Sequence, residues 1–107
     1  MTESPTPLDE LVQLIVKHAR PERIILFGSR ARGDARSDSD YDLLVILADG
    51  ADRWEISRRT RMAIASARIT TPIDLLFQVR SEYDRRRAKA GHLFAIVEQE
   101  GTDLHAA

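Results

Sequence analysis

Three aspartates and a glycine–serine pair are the residues whose types and spacing could do chemistry. Asp40 and Asp42 stand two apart at the mouth of an apolar run, Leu43 to Leu47. In an extended strand the side chains at i and i+2 point the same way. Two carboxylates on one face repel each other unless a cation lies between them. Such hard oxygen ligands suit Mg²⁺, which takes a few carboxylates together with substrate phosphates and water. An Asp-x-Asp in a polar stretch can equally cap turns. Asp74 lies inside another apolar run, Ile73 to Val79. Aspartate is depleted in strands and costly to bury unpaired. Its partner is therefore either a metal shared with Asp40 and Asp42 or one of the many arginines. Gly28-Ser29 closes a β-rich run and opens a helical turn. Glycine lets backbone approach a ligand closely, and the N–H groups of such a turn, with a serine hydroxyl, can cradle an anion. A lone Gly-Ser is more often just a turn. Arg30 and Arg32 follow at once, either within reach of the outer phosphates of a nucleoside triphosphate or solvated at the surface.

Other chemistry is poorly supported. His18, His92 and His105 are far apart and lack metal-ligand spacing, so they read as surface or structural histidines. Ser29 has no histidine near it in sequence, which argues against a hydrolase triad. No Gly-Lys-Ser/Thr phosphate loop is present. Arg85-Arg86-Arg87 with Lys89 reads as a solvated helix face.

The elements that must position these residues follow from periodicity and caps. Leu8, Leu11, Val12, Ile15 and Val16 make one face of an amphipathic helix from about Pro7 to Ala19. Thr6 suits the N-cap, Pro7 the first helical position and Asp9 the acid of a capping box, and Pro21 prevents continuation. Arg23 to Phe27 reads as a strand, Gly28 to Arg32 as a turn opening a short helix, and Asp34 to Ser39 as a loop. Asp42 to Leu47 is apolar on successive positions, the mark of a buried strand. Asp49-Gly50 is a turn, and Asp52 to Ala67 a helix capped by Asp52, with Trp54 and Met62 packing in the core. Pro72 to Val79 reads as a strand. Ser81 caps a last helical region, broken near Gly91, that runs to about Glu98. Thr102 to His105 is a short edge strand. This alternation implies an α/β layer structure.

Length and composition agree. The 107 residues suit one domain, 1–107, with 1–6 expected to be flexible. Hydrophobic residues at 43% and charged ones at 31% fit a globular chain and argue against disorder. No apolar run is long enough to span a membrane, the polar start has no signal-peptide pattern, and there is no cysteine for disulfides or thiolate zinc sites. A cytoplasmic protein is the plain expectation. The net charge of −1 gives no polyelectrolyte signal for nucleic acid.

Ten residues, Arg30 to Ser39, separate Ser29 from Asp40. Gly28-Ser29, that interval, Asp40-Tyr41-Asp42 and a later Asp74 together resemble the polymerase-β-type nucleotidyltransferase superfamily. The stretch GSRARGDARSDSDYDLLV is similar to its minimal nucleotidyltransferase (MNT) branch. The resemblance implies a polymerase-β-like fold, a small mixed sheet flanked by helices. It implies that Asp40 and Asp42 hold two Mg²⁺ ions, and that Asp74 is a third acid that bridges to one metal and helps activate the acceptor hydroxyl. Gly28 and Ser29 then bind the triphosphate of ATP, with Arg30 and Arg32 beside them. Proteins of this branch commonly act as antitoxins to HEPN-domain ribonuclease toxins, transferring AMP from ATP to a toxin tyrosine. A chain this small leaves little from which to build an acceptor pocket, so a HEPN-type partner is expected to bring the acceptor. A small-molecule nucleotidyltransferase of the aminoglycoside-modifying kind, and a non-catalytic antitoxin acting by binding, are the alternatives.

Overall fold

The computed structural model describes residues 6–36 and 39–107. The expectation of flexibility at residues 1–6 lies outside them for residues 1–5. Thr6 caps the first helix, α1 (Pro7–Ala19): its hydroxyl accepts from the Asp9 N–H, and the Asp9 carboxylate accepts from the Thr6 N–H. That helix buries Leu11, Ile15 and Ala19 and ends on Arg20 in the left-handed region.

The chain continues as β1 (Arg23–Phe27), α2 (Ser29–Arg32), β2 (Tyr41–Leu47), α3 (Arg53–Ser66), β3 (Ile73–Val79), α4 (Arg80–Arg87), α5 (Leu93–Glu100) and β4 (Thr102–Ala106). The strands form one mixed sheet in the order β3-β2-β1-β4. β1 runs antiparallel to both β2 and β4, while β2 and β3 are parallel, joined by α3 as crossover. The continuous apolar run of β2 is explained by this position, because an inner strand covered on both faces buries every side chain. Residues 43–47 are all buried.

Alternation splits the core into two layers. Leu43, Val45 and Leu47 face α1 and α3, with Leu11, Ile15, Ile24, Leu26, Ile64, Leu75 and Phe77. Leu44 and Ile46 face α4 and α5, with Ile25, Tyr83, Phe94 and Val97. Among the described residues no helix is long and apolar enough to cross a membrane.

Two expectations are corrected. Trp54 and Met62 do not pack in the core; they are 79% and 57% exposed. The buried residues of α3 are Thr60 and Ile64, a narrow stripe that leaves the Trp54–Met62 side in solvent. Ser81 does not cap the last helical region. Helix α4 has Val79 at its N-cap, two residues earlier, and the Ser81 N–H donates to Asp49 Oδ1 across the neighbouring turn. The expected break is real: residues 88–92 separate α4 from α5, with Gly91 at φ 81°. The His92 ring caps α5 by accepting from the Phe94 N–H, a structural role.

Candidate active site

Strand ends assemble the acidic residues. Asp42 is the second residue of β2, and Asp74 is the second residue of β3. The parallel register pairs Asp42 directly with Asp74, so both side chains leave the same face of the sheet. Asp40, two residues before Asp42, falls in the same alternation. On the other side of β2, Asp42 is paired with Phe27, the last residue of β1. The chain then turns at Gly28 into α2, which lays the Gly-Ser turn against the aspartates. Asp40 and Asp74 are exposed and Asp42 half-buried, so the carboxylates stand where the sheet opens to solvent.

The turn and the carboxylate are built for each other. Gly28 has φ 74°, in the region that favours glycine. A Cβ there would overlap the Asp42 carboxylate. Glycine is therefore required twice, by its backbone angle and by the close approach of Asp42.

Electrostatics report the same convergence. Partial burial pushes the Asp42 carboxyl above the ordinary carboxylate range, and the negative charges of Asp74 and Asp40 push it further; Arg32 opposes them. The net balance still favours the protonated form, so the gathered carboxylates suit a cation. Among the described residues no three carboxylate or imidazole side chains converge tightly enough to form a complete metal cage. Mg²⁺ does not require one, since a pair of carboxylates plus substrate phosphates and waters is its usual setting in phosphoryl chemistry. The donor set of Asp42 with Asp40 and Asp74 fits that ion.

The two arginines differ in placement. The Arg32 guanidinium is exposed, 3.3 Å from Asp34 and 3.9 Å from Glu100, and its charge reaches Asp42. Arg30 instead donates from Nε and Nη2 to the Ser39 carbonyl, at 3.3 and 2.9 Å, and its guanidinium carbon lies 4.4 Å from the Tyr41 ring centre. The contribution of Tyr41 has no periodic signature, because the Arg30–Tyr41 contact spans a loop. Asp38, which shares the alternation of Asp40, lies outside the described residues.

The basic run of α4 makes ion pairs within its own helix. Arg85 and Arg86 pair with Glu82 and Arg87 with Asp84, so two acids of α4 offset part of the charge of its triple arginine. A concavity lined by Arg23, Arg80, Tyr83 and Arg87 lies at the opposite end of the sheet, away from the carboxylates.

Comparison with known proteins places this geometry. The family described as "Polymerase beta, Nucleotidyltransferase" matches residues 9–90. No curated protein matches the chain. Solved structures do. A toxin–antitoxin structure with AMP-PNP is 25% identical over 92% of this chain and 73% of that one, with a TM-score of 0.55. A mutant MntA–HpeT toxin–antitoxin structure is 25% identical over 96% and 75%, with a TM-score of 0.59. The MNT antitoxin complexed with a tri-AMPylated HEPN toxin of Shewanella oneidensis shares the fold at 21% identity, covering 94% and 71%, with a TM-score of 0.53.

Proposed function

The chain belongs to the polymerase-β nucleotidyltransferase family, and from that premise we propose that it is a Mg²⁺-dependent protein adenylyltransferase antitoxin, moving AMP from ATP to a tyrosine of a HEPN-type ribonuclease toxin. The observation that carries the reading is the register pairing of Asp42 with Asp74 beside a glycine turn that only a residue without Cβ can make. Its support from relatives is that a similar antitoxin structure contains AMP-PNP, and that another relative of the same fold accompanies an AMPylated HEPN toxin.

The residues divide the work as follows. The Gly28-Ser29 turn offers backbone N–H groups and a hydroxyl to the triphosphate, and Arg32 adds a positive charge beside it. Asp40, Asp42 and Asp74 would hold Mg²⁺. When bound, Mg²⁺ supplies charge neutralisation on the α-phosphate and the departing pyrophosphate. Asp74 accepts the proton of the acceptor hydroxyl as its oxygen bonds to the α-phosphorus. The bond from that phosphorus to the bridging oxygen breaks, and pyrophosphate leaves. The partner brings the acceptor: Asp40 and Asp74 are exposed, so the carboxylates can be reached from outside the chain.

The test is intact-mass analysis of the protein encoded beside this chain, expected to be HEPN-type, after incubation with the chain, ATP and Mg²⁺. One or more AMP additions are expected, and none with Asp42→Asn. If no AMP is added, yet Asp42→Asn still neutralises the toxin, the chain acts by binding alone. If purified chain labels a small molecule instead, the acceptor assignment is overturned.

A further inference from the structure

Arg30 is not arranged like a residue waiting for a ligand. Its Nε and Nη2 both donate to the carbonyl of Ser39, the residue immediately before Asp40. The guanidinium carbon of the same side chain lies over the ring of Tyr41, the residue immediately after Asp40, 4.4 Å from the ring centre. One side chain therefore grips the backbone on one side of Asp40 and the side chain on the other. Asp40 needs such a grip. It lies outside β2, and the first bond tying the strand entrance to the sheet is from the Tyr41 N–H to the Pro72 carbonyl, 2.9 Å. The grip also crosses a loop: Arg30 belongs to α2, whose backbone is seated on Gly28 against Asp42.

We infer that Arg30 is a positioning residue, a strut between the Gly-Ser turn and the entrance of β2 that fixes the Asp40 carboxylate at its working distance from Asp42. The inference rests on the reading of Asp40 and Asp42 as metal-holding groups, and it reassigns Arg30 from the phosphates to the protein. A planar guanidinium can donate in its plane and stack on its face at once, which an ammonium cannot. Arg30→Lys is accordingly not a conservative change. A partner that orients a metal ligand typically shifts metal affinity by about 10- to 100-fold when removed.

The experiment measures two affinities on the purified full chain: Mn²⁺ alone, by electron paramagnetic resonance, and ATP in the presence of EDTA, by calorimetry. Arg30→Met is expected to weaken Mn²⁺ binding about tenfold and leave ATP binding in EDTA unchanged. Tyr41→Leu, which leaves α2 untouched and so guards against a folding defect of the first variant, should lose part of the same affinity. The double variant should lose no more than Arg30→Met, because both residues belong to one strut. Weakened ATP binding in EDTA with unchanged Mn²⁺ binding makes Arg30 a triphosphate ligand and overturns the strut. Strictly additive losses also overturn it. Asp42→Asn separates the two levels. Mn²⁺ binding that depends on Asp42 but not on Arg30 removes the strut alone, whereas Mn²⁺ binding indifferent to Asp42 removes the site reading and the strut together.

Discussion

At the scale of residues, the site holds charge that the fold would be more stable without. Asp42 is half-buried between Gly28 and two other carboxylates, and its carboxyl titrates above the ordinary range, first through burial and then through Asp74 and Asp40. The sign follows from linkage. An acid whose folded pKa is raised binds its proton more tightly in the folded chain than in the unfolded one. Folding therefore loses stability as pH rises from the ordinary aspartate range through the raised value. Asp42→Asn removes that loss. In the absence of nucleotide and metal, the variant is expected to have a higher urea midpoint than the unaltered chain at neutral pH. The gain should shrink as the solution is acidified to about pH 3, where the native carboxyl is protonated in either state. The same variant should be inactive in the mass assay. A variant that is inactive yet no more stable at neutral pH would refute the crowding of Asp42. Gly28→Ala makes the converse point. Its Cβ meets the Asp42 carboxylate and its backbone sits at φ 74°, so it should lose activity and stability together, the latter by about 1 kcal/mol or more.

At the scale of elements, helix α3 shows where packing departs from composition. Thr60 is fully buried, and among the described residues its hydroxyl has no hydrogen-bond partner. Replacing an orphaned buried hydroxyl by a methyl of the same shape removes a desolvation cost of about 1 kcal/mol or more. Thr60→Val should therefore raise the midpoint, and a loss would show that the hydroxyl is satisfied in solution. On the opposite side, Trp54 should be freely quenched by acrylamide, and Trp54→Ala should change stability by no more than about 0.5 kcal/mol. A blue-shifted, protected tryptophan would contradict the helix orientation. These positions also show what the sequence could and could not reveal. The capping box of Thr6 and Asp9, the buried run of β2 and the Asp52 cap are local patterns, and each is present where expected. The facing of α3 was not legible. Its residues Trp54 and Met62 are apolar, but exposure depends on which neighbours cover them, and that is set by the strand order. Arg61 donates to the Leu75 carbonyl at 2.7 Å and Arg53 to that of Phe77 at 3.4 Å, so the outer edge of β3 is closed by side chains of α3. Charged side chains at a sheet edge discourage pairing with another chain. No one-dimensional pattern announces such a contact. Likewise Asp40 and Asp42 could be paired from their spacing, whereas the union of Asp42 with Asp74 required the parallel β2–β3 register.

At the scale of the whole molecule, the two ends of the sheet do different work. Away from the carboxylates, Arg23 of β1 pairs with Glu98 of α5 and Asp103 of β4, at 3.0 and 2.8 Å, and the Tyr83 hydroxyl of α4 donates to Glu98 at 2.5 Å. This network ties four elements together. Burial pushes the Glu98 carboxyl up, but the hydrogen bonds from Tyr83 and Arg23 outweigh it, and the group titrates below the ordinary glutamate range. Stability from ionised Glu98 is therefore present above that range and lost as pH falls through and below it. Glu98→Gln should be less stable than the native chain at neutral pH, and the two should converge in acid; a constant difference would assign the loss to packing. At the other end three carboxylates meet with only the charge of Arg32 opposing them among the described residues, so that end should gain most from ligand. A ligand that binds only the folded chain stabilises it by about 2.7 kcal/mol at a hundred times its Kd. Mg²⁺ with AMP-PNP should thus raise the melting temperature of the native chain and of Glu98→Gln alike, because Glu98 lies outside the site. It should leave Asp42→Asn nearly unmoved. Equal shifts in all three would mean that the nucleotide binds elsewhere on the molecule, and would detach the carboxylates from the activity proposed for them.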